Sequence, residues 1–336
     1  MELLINGLFL TETLTGVQRY GIEVIKNLSN IKNLKLSILV PKNTKLVNKI
    51  EGSNISYLEI GKFKGNLWEQ ISLYHYAKKR KLPLLNTGNK APIKYKNNYI
   101  VLHDVIFKDM KNMGSKSWNL KMDFIVKRYL KKAKLIFTVS NFTKERIKAN
   151  YKINCPIVVT KNGCNLDYEE KELKIDSKYY LTVGTTNPNK NFKYILALAK
   201  NNPDKLFIVT GRLNESFILE NKIDEYKNFK FLGYVSTEEL KYLYRNCEGF
   251  ILPSFYEGFG LPPLEALEAG CKNVYLSNIE VFKEIYDGVV KFFDPNDYEN
   301  TVILDDVKID EDKLEKLKEE CNWKNVSQII IENIKF

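Results

Sequence analysis

Pro253-Ser-Phe-Tyr-Glu257-Gly-Phe-Gly-Leu-Pro-Pro-Leu-Glu265 places two carboxylates in a glycine-broken, proline-started segment. The apolar Gly249-Phe-Ile-Leu252 before it reads as a buried strand, and Ala266-Leu-Glu-Ala-Gly270 after it as a helix closed by its C′ glycine. Pro262 and Pro263 suit a first helical turn, where a missing N–H costs nothing. Glu257 therefore falls in the loop at the strand's C-terminal end, and Glu265 in the first turns of the helix. Open parallel sheets bind ligands at that edge, and the free N–H groups of a helix start attract phosphate. A carboxylate also accepts hydrogen bonds from two neighbouring hydroxyls at once, the pattern that a sugar or ribose presents. A solvated loop acid and a charge favoured at a helix start would account for Glu265 alone. They leave Gly258 and Gly260 unexplained, since glycines there let backbone approach a ligand closely. Gly258, Phe259, Gly260 and Leu261 thus join the two carboxylates as candidate ligand contacts.

On both sides of this segment short apolar runs alternate with amphipathic stretches, the pattern of an α/β fold with mostly parallel sheets. In the first half, Leu3–Asn6, Leu34–Val40, Leu82–Leu85, Tyr99–His103, Leu135–Val139 and Pro156–Thr160 read as strands. Val17–Leu28, Leu67–Arg80, Leu120–Lys132 and Asn141–Asn150 read as helices. In the second half the strands are Tyr179–Val183, Lys205–Thr210, Phe229–Leu232, Gly249–Pro253, Asn273–Leu276 and Val290–Phe293. Helices near Asn191–Asn201, Glu215–Ile223, Thr237–Asn246, Pro263–Ala269 and Glu280–Tyr286 alternate with them, and Ser236 with Glu239 forms a capping box. The charged stretch Leu166–Lys178 is the best linker. The 336 residues thus divide into an N-terminal unit, 1–168, a C-terminal unit, 169–315, and a helical tail, 316–336.

No apolar run reaches the roughly 18 residues that a membrane span needs, and Met1-Glu-Leu-Leu-Ile5 reads as a first strand rather than a signal peptide. Five scattered cysteines without Cys-x-x-Cys spacing argue against structural zinc and a disulfide framework, and fit a reducing cytoplasm. The net charge of +11 concentrates in lysine clusters of the first half, whereas Glu169-Glu170, Asp305-Asp306 and Asp310–Asp312 balance the second. A basic half with interspersed Leu, Trp and Tyr suits an anionic membrane surface. It is equally a lysine-rich background that solvates the protein. No zinc finger, paired RNA-binding aromatics or recognition helix is present, so nucleic acid is not an expected partner.

Three more strand ends carry candidate chemistry. Tyr180-Leu-Thr-Val-Gly184-Thr-Thr-Asn-Pro-Asn-Lys190 is a strand, a glycine turn and a helix start with a cation. Leu206-Phe-Ile-Val-Thr-Gly211-Arg212 repeats the arrangement with an arginine fork suited to phosphate or to the solvated surface. Ile100-Val-Leu-His103-Asp104 ends a strand with one of only two histidines, which either caps the strand or meets a ligand; Asp104 either orients it or starts a turn. Thr15-Gly16-Val-Gln-Arg19 opens the first helix behind a glycine.

These segments together resemble, in order and over nearly the whole chain, the retaining glycosyltransferases of family 4, or group 1, with the two-domain GT-B fold. The Glu257–Glu265 block matches their Glu-x7-Glu signature; the Gly184–Lys190, His103-Asp104 and Gly16 segments match their other motifs. The resemblance implies two Rossmann-like domains facing a central cleft, with the terminal helix packing back on the first domain. The first domain would take the acceptor and the second the nucleotide sugar. It further implies transfer of a sugar from a nucleotide-diphosphate donor to an acceptor hydroxyl with retained configuration and no metal. Lys190, and Arg212 with it, would meet the diphosphate; Glu257 would hold the donor sugar, Glu265 the ribose, and His103 the sugar from the first domain. Gly16 would let the donor phosphates approach a helix N-terminus. The chain departs from the pattern at Asn189, where relatives usually carry arginine, so one phosphate-binding cation is missing there. The expected acceptor is a lipid-linked or surface glycan in polysaccharide or lipopolysaccharide assembly. The expected location is cytoplasmic, peripheral on the inner membrane face. The alternatives are another GT-B activity on nucleotide sugars, an epimerase or phosphorylase, or a non-catalytic lipid- or nucleic-acid-binding relative. Alanine at Lys190 or Glu257 is expected to abolish transfer and leave the melting temperature nearly unchanged.

Overall fold

A computed structural model describes residues 1–111, 113–212, 215–221, 223–300 and 307–336. The Asp305-Asp306 pair and part of the expected Glu215–Ile223 helix lie outside the described residues. The chain divides into two compact units, one formed by Met1–Gly163 with Glu320–Phe336, the other by Cys164–Glu319.

The first unit holds seven parallel strands: β1 (Glu2–Asn6), β2 (Lys35–Pro41), β3 (Ile55–Ile60), β4 (Leu84–Asn86), β5 (Asn98–Leu102), β6 (Leu135–Thr138) and β7 (Ile157–Val159), in the order β3-β2-β1-β4-β5-β6-β7. Central strands covered on both faces read as unbroken apolar runs, as Leu3-Leu-Ile5 and Tyr99-Ile-Val-Leu102 do. Strand β3 is not among the expected strands. It lies at the sheet edge, where Ile55-Ser-Tyr-Leu-Glu-Ile60 is only half-buried, and its alternating polarity interrupts the run that marks a buried strand.

The expected single helix Leu67–Arg80 is instead an α-turn, Gly65–Leu67, a π-helical stretch, Trp68–Leu73, and an α-helix, Tyr74–Arg80. The widened turn lets the consecutive Trp68 and Glu69 both face inward, with Trp68 Nε1 donating to the Ile60 carbonyl at 2.8 Å. The helix Trp323–Asn333 packs on the helix Gly16–Leu28, as the resemblance implies. The Trp323 ring meets Tyr20 edge-on at 5.5 Å, and Ser327 Oγ donates to the Val24 carbonyl. A Cβ on Gly163 would collide with Trp323, so the chain leaves the first unit where only glycine fits.

The second unit holds six parallel strands: β8 (Tyr179–Thr185), β9 (Leu206–Arg212), β10 (Phe229–Gly233), β11 (Gly249–Leu252), β12 (Val274–Ser277) and β13 (Lys291–Phe293), in the order β10-β9-β8-β11-β12-β13. Its core on one side of the sheet gathers Phe192, Ile195, Phe207, Val209 and Ile251. The helix Thr237–Asn246 starts with the expected Ser236–Glu239 capping box. The stretch expected as a linker carries no helix or strand, yet it is strapped to that helix. Lys241 Nζ donates to the Leu166 and Tyr168 carbonyls at 2.8 and 2.7 Å, and Lys171 pairs with Glu239.

Candidate active site

In the second sheet, β8 leads to β9 and β10 on one side, and β11 leads to β12 and β13 on the other. The connections therefore diverge between β8 and β11, and a crevice forms outside their carboxyl ends. Thr182 Oγ1 on β8 donates to the Ile251 carbonyl on β11 at 3.0 Å and fixes this seam. Lys190 comes from the turn after β8 and Glu257 from the loop after β11. They meet with Nζ to Oε1 at 2.6 Å, with side chains 18% and 11% exposed. Ser254, fully buried, donates to the same Oε1 at 2.7 Å. Among the described residues Oε2 accepts no hydrogen bond, so the carboxylate keeps acceptor capacity for a ligand.

The loop that carries Glu257 is held at several points. Asn189 is buried; its Nδ2 donates to the Tyr256 carbonyl at 3.0 Å, and its own carbonyl accepts from Phe255 N at 2.7 Å. The residue that replaces the usual arginine therefore stitches the β8 turn to the β11 loop. Its Oδ1 is buried without a partner among the described residues. Tyr286 Oη donates to the Gly260 carbonyl at 2.5 Å, and the Phe259 ring lies edge-on to Tyr286 at 6.4 Å. Gly260 has φ +91°, and a Cβ there would lie 2.5 Å from the Phe282 ring, so this helix start requires glycine. The helix Leu261–Glu268 then begins without a side-chain cap, and because Pro262 and Pro263 carry no N–H, Leu261 supplies the free N–H of its first turn. Glu265 lies within it, buried, and its Oε2 accepts from Tyr244 Oη at 3.0 Å.

The adjoining strand end is equally tight. Gly211 has φ +130°, and a Cβ on it would fall 1.8 Å from the Gly184 carbonyl oxygen, so β8 and β9 approach where only glycine is tolerated. Arg212 follows, exposed at the end of β9, its carbonyl accepting from Thr186 N. The structure thus brings Lys190, Ser254 and Glu257 into contact, sets Arg212 on the neighbouring strand end, and bonds Glu265 to Tyr244.

The candidates in the first unit form their own group. His103 at the end of β5 is buried; its Nε2 bonds to the Thr87 carbonyl at 2.9 Å, and its ring meets Tyr20 edge-on at 4.8 Å. Burial pushes its pKa down to about 4, which makes it a neutral imidazole. Asp104 starts a turn by accepting from Ile106 N at 3.1 Å. Gly16 is the first residue of its helix, whose N-terminal N–H groups receive no side-chain cap. Among the described residues no three His, Cys, Asp or Glu side chains are grouped to hold a metal ion. No described helix is long and apolar enough to cross a membrane.

Residues 165–323 match the family described as Glycosyl transferases group 1, a span that takes in nearly all of the second unit and its diverging crevice. The second unit is a group 1 glycosyltransferase domain. Over 323 aligned residues the glycosyltransferase is 29% identical to O-antigen chain mannosyltransferase B of Escherichia coli, with 84% of each chain covered. Its fold matches sucrose-phosphate synthase of Thermosynechococcus elongatus with a TM-score of 0.77 at 15% identity, covering 98% of this chain and 97% of that one. It also matches Anabaena HepE in complex with UDP and glucose, with a TM-score of 0.71 at 16% identity, covering 99% and 98%. The two parallel sheets with flanking helices are those of the two-domain GT-B fold.

Two residues of the glycosyltransferase site carry no sequence signal for their place in it. Ser254 is one serine beside a proline, and only the loop geometry shows that it anchors Glu257. Asn189 departs from the family pattern in sequence, but its bond to the Tyr256 carbonyl depends on two distant segments meeting.

Proposed function

We propose that this glycosyltransferase moves a sugar from a nucleoside-diphosphate donor to an acceptor hydroxyl with retained configuration and without a metal. The observation that carries the reading is the Lys190–Glu257 pair at the divergence of β8 and β11. Without ligand, the carboxylate holds the ammonium in place. With donor bound, Lys190 turns to the diphosphate and stabilises the charge that develops as it leaves, and the uncapped helix start adds the Leu261 N–H. Glu257 then offers its oxygens to the donor-sugar hydroxyls, anchored by Ser254. Arg212 supplies a second cation to the phosphates, and Glu265 serves the ribose. The bound UDP and glucose of the fold relative HepE suit this choice of donor class, and the E. coli relative points to mannose.

The acceptor in this reading is a growing glycan on a lipid carrier, as the O-antigen relative suggests. The helix Lys116–Leu130 supports a lipid surface as partner. Leu120 and Phe124 are 71% and 54% exposed on its outer face, and Lys116, Lys121, Lys127 and Arg128 are exposed beside them. The Arg128 guanidinium lies 4.3 Å from the Phe124 ring, and the helix's one acid, Asp123, is tied to Lys108 instead. Apolar side chains flanked by cations with no free acid suit the boundary of an anionic bilayer.

The test is thermal shift of the full chain with a panel of UDP- and GDP-sugars, followed by transfer assays with the stabilising donor in the presence of EDTA. One nucleotide sugar should stabilise wild type and not Lys190→Ala, and transfer should survive chelation. A donor that binds the variant equally well would remove Lys190 from the mechanism.

A further inference from the structure

Strands β11 and β12 run side by side in the second sheet, with Phe250 opposite Val274. Cys247 and Cys271 each stand three residues before one of those partners, so the same register sets them opposite each other where the chain enters the two strands. The entries are clamped together. Phe250 N donates to the Asn273 carbonyl at 2.8 Å, and Asn273 Nδ2 donates to the Glu248 carbonyl at 2.9 Å. Neighbouring parallel strands lie about 4.8 Å apart, inside the Cα separation of about 4.4–6.8 Å that a disulfide spans. The two sulfurs lie 3.5 Å from each other, and both cysteines are free thiols.

Cys271 is buried and Cys247 half-buried, so the pair meets solvent through Cys247. Each sulfur also lies within reach of a carbonyl: Cys247 Sγ is 3.2 Å from that of Tyr244, and Cys271 Sγ is 3.4 Å from that of Asn273. The S–H of Cys247 holds the Cys271 thiol below its ordinary range against the effect of burial; the same bond, with burial, raises Cys247. The pair therefore presents one readily formed thiolate with a second thiol beside it. Its place in the fold ties it to the donor site. Cys247 caps the helix Thr237–Asn246, which carries Tyr244, and Cys271 follows the helix Leu261–Glu268, which carries Glu265. Cys271 N donates to the Ala266 carbonyl at 2.9 Å, next to Glu265. The 3.0 Å bond from Tyr244 Oη to Glu265 Oε2 thus has a sulfur behind each of its ends. The chain between the cysteines holds β11, the Glu257 loop and the Glu265 helix, the segment on which the donor reading depends.

We propose that Cys247 and Cys271 are a reversible oxidation site, closed to a disulfide by a peroxide and reopened by small thiols, and that closure loosens the hold on the nucleotide sugar through Tyr244 and Glu265. The effect on the donor rests on the glycosyltransferase reading above; the disulfide itself does not. The Cys271 thiolate attacks one peroxide oxygen, so an S–O bond forms as the O–O bond breaks. The other oxygen leaves as hydroxide and takes up the proton that Cys271 released. Cys247 then attacks the sulfenic sulfur; the S–S bond forms, the S–O bond breaks, and the oxygen leaves as water with the Cys247 proton. Two thiols are oxidised by two electrons and the peroxide is reduced to two waters. Two small thiols reverse the step by exchange and become a disulfide themselves. Closure draws the sulfurs from 3.5 Å to about 2.05 Å. The helix ends behind Tyr244 and Glu265 must follow, and the bond between those two side chains lengthens or turns. A short-lived disulfide of this kind is compatible with a reducing compartment.

The experiment treats the reduced full chain with hydrogen peroxide, maps its thiols by differential alkylation and peptide mass spectrometry, and titrates UDP- and GDP-sugars by calorimetry before and after. A linked Cys247–Cys271 peptide pair, two hydrogens lighter than the reduced peptides, should form ahead of oxidation at Cys155, Cys164 and Cys321, and dithiothreitol should reverse it. Oxidised wild type should bind the donor at least about fivefold more weakly, the low end of coupling between two sites. Cys247→Ser and Cys271→Ala should each bind donor as reduced wild type does and keep that affinity after the same treatment; either carries the test if the other does not fold. Absence of the linkage at peroxide levels that oxidise the other cysteines would overturn the proposal. So would equal donor affinity in the two states of wild type, or an equal loss of affinity in the variants. If the linkage forms and reverses while neither state binds any nucleotide sugar, the donor reading fails and the oxidation site stands.

Discussion

Replacing Lys190 by alanine leaves the Glu257 carboxylate, 11% exposed, with the neutral Ser254 hydroxyl as its remaining donor. Removing one partner of a buried ion pair costs about 3–5 kcal/mol, because the other charge stays desolvated and uncompensated. The partial exposure of both side chains favours the lower end, about 3 kcal/mol. In a domain of this size 1 kcal/mol moves Tm by about 2–4 °C, so Lys190→Ala should melt about 6–12 °C below wild type. Glu257→Ala should behave alike, since it strands the ammonium. The double variant removes both charges, so its loss should fall short of the sum of the singles by about 2 kcal/mol. Calorimetric melting of the four proteins, with and without nucleoside diphosphate, measures this directly. Added diphosphate should stabilise wild type and have little effect on Lys190→Ala, where a charge-assisted bond worth about 1.5–3 kcal/mol is missing. The sequence-based expectation of an unchanged melting temperature is corrected by the burial of the pair. Singles that melt within a degree of wild type and add without coupling would refute the reasoning.

Gly211→Ala should cost about 3 kcal/mol or more in urea unfolding, from the backbone collision with Gly184 added to a strained φ. Gly270→Ala, also at positive φ but with nothing within 4 Å, should cost about 1 kcal/mol. His103, pushed down to about 4, carries the opposite sign from an ordinary histidine gaining a partner. Its contribution to stability is complete above its unfolded pKa near 6.5 and is lost as pH falls towards 4, a loss of about 3 kcal/mol. His103→Gln should therefore flatten the acid limb of stability against pH relative to wild type; parallel curves would mean that the imidazole is not held neutral. Leu120→Ser with Phe124→Ser should reduce flotation with anionic vesicles at low salt severalfold and leave melting unchanged. Equal flotation of variant and wild type would remove this helix from the membrane contact.

Much of the fold is legible because central parallel strands write themselves as apolar runs closed by glycine or proline, as in Gly249–Pro253. The crevice residues Lys190, Glu257 and Gly260 follow from such strand ends. What escapes the sequence is whatever depends on distant segments meeting. Strand β3 is a half-buried edge without an unbroken run. The π-stretch has the same periodicity as a helix, and within it Glu69 reads as one more solvated acid of an amphipathic pattern. Asn189 reads as a lost cation, although packing makes it the tie between two loops.

The first unit is discontinuous: residues 320–336 complete it, yet they follow the whole of the second unit in the chain. A ribosome therefore releases the second sheet before the helix that covers Tyr20 and Val24 exists. Until then the helix Gly16–Leu28 presents an oily furrow to the surrounding solution. Nascent chains stalled short of residue 320 should engage chaperones through their earliest-made part, and changes near the carboxyl terminus will register as damage to the amino-terminal lobe.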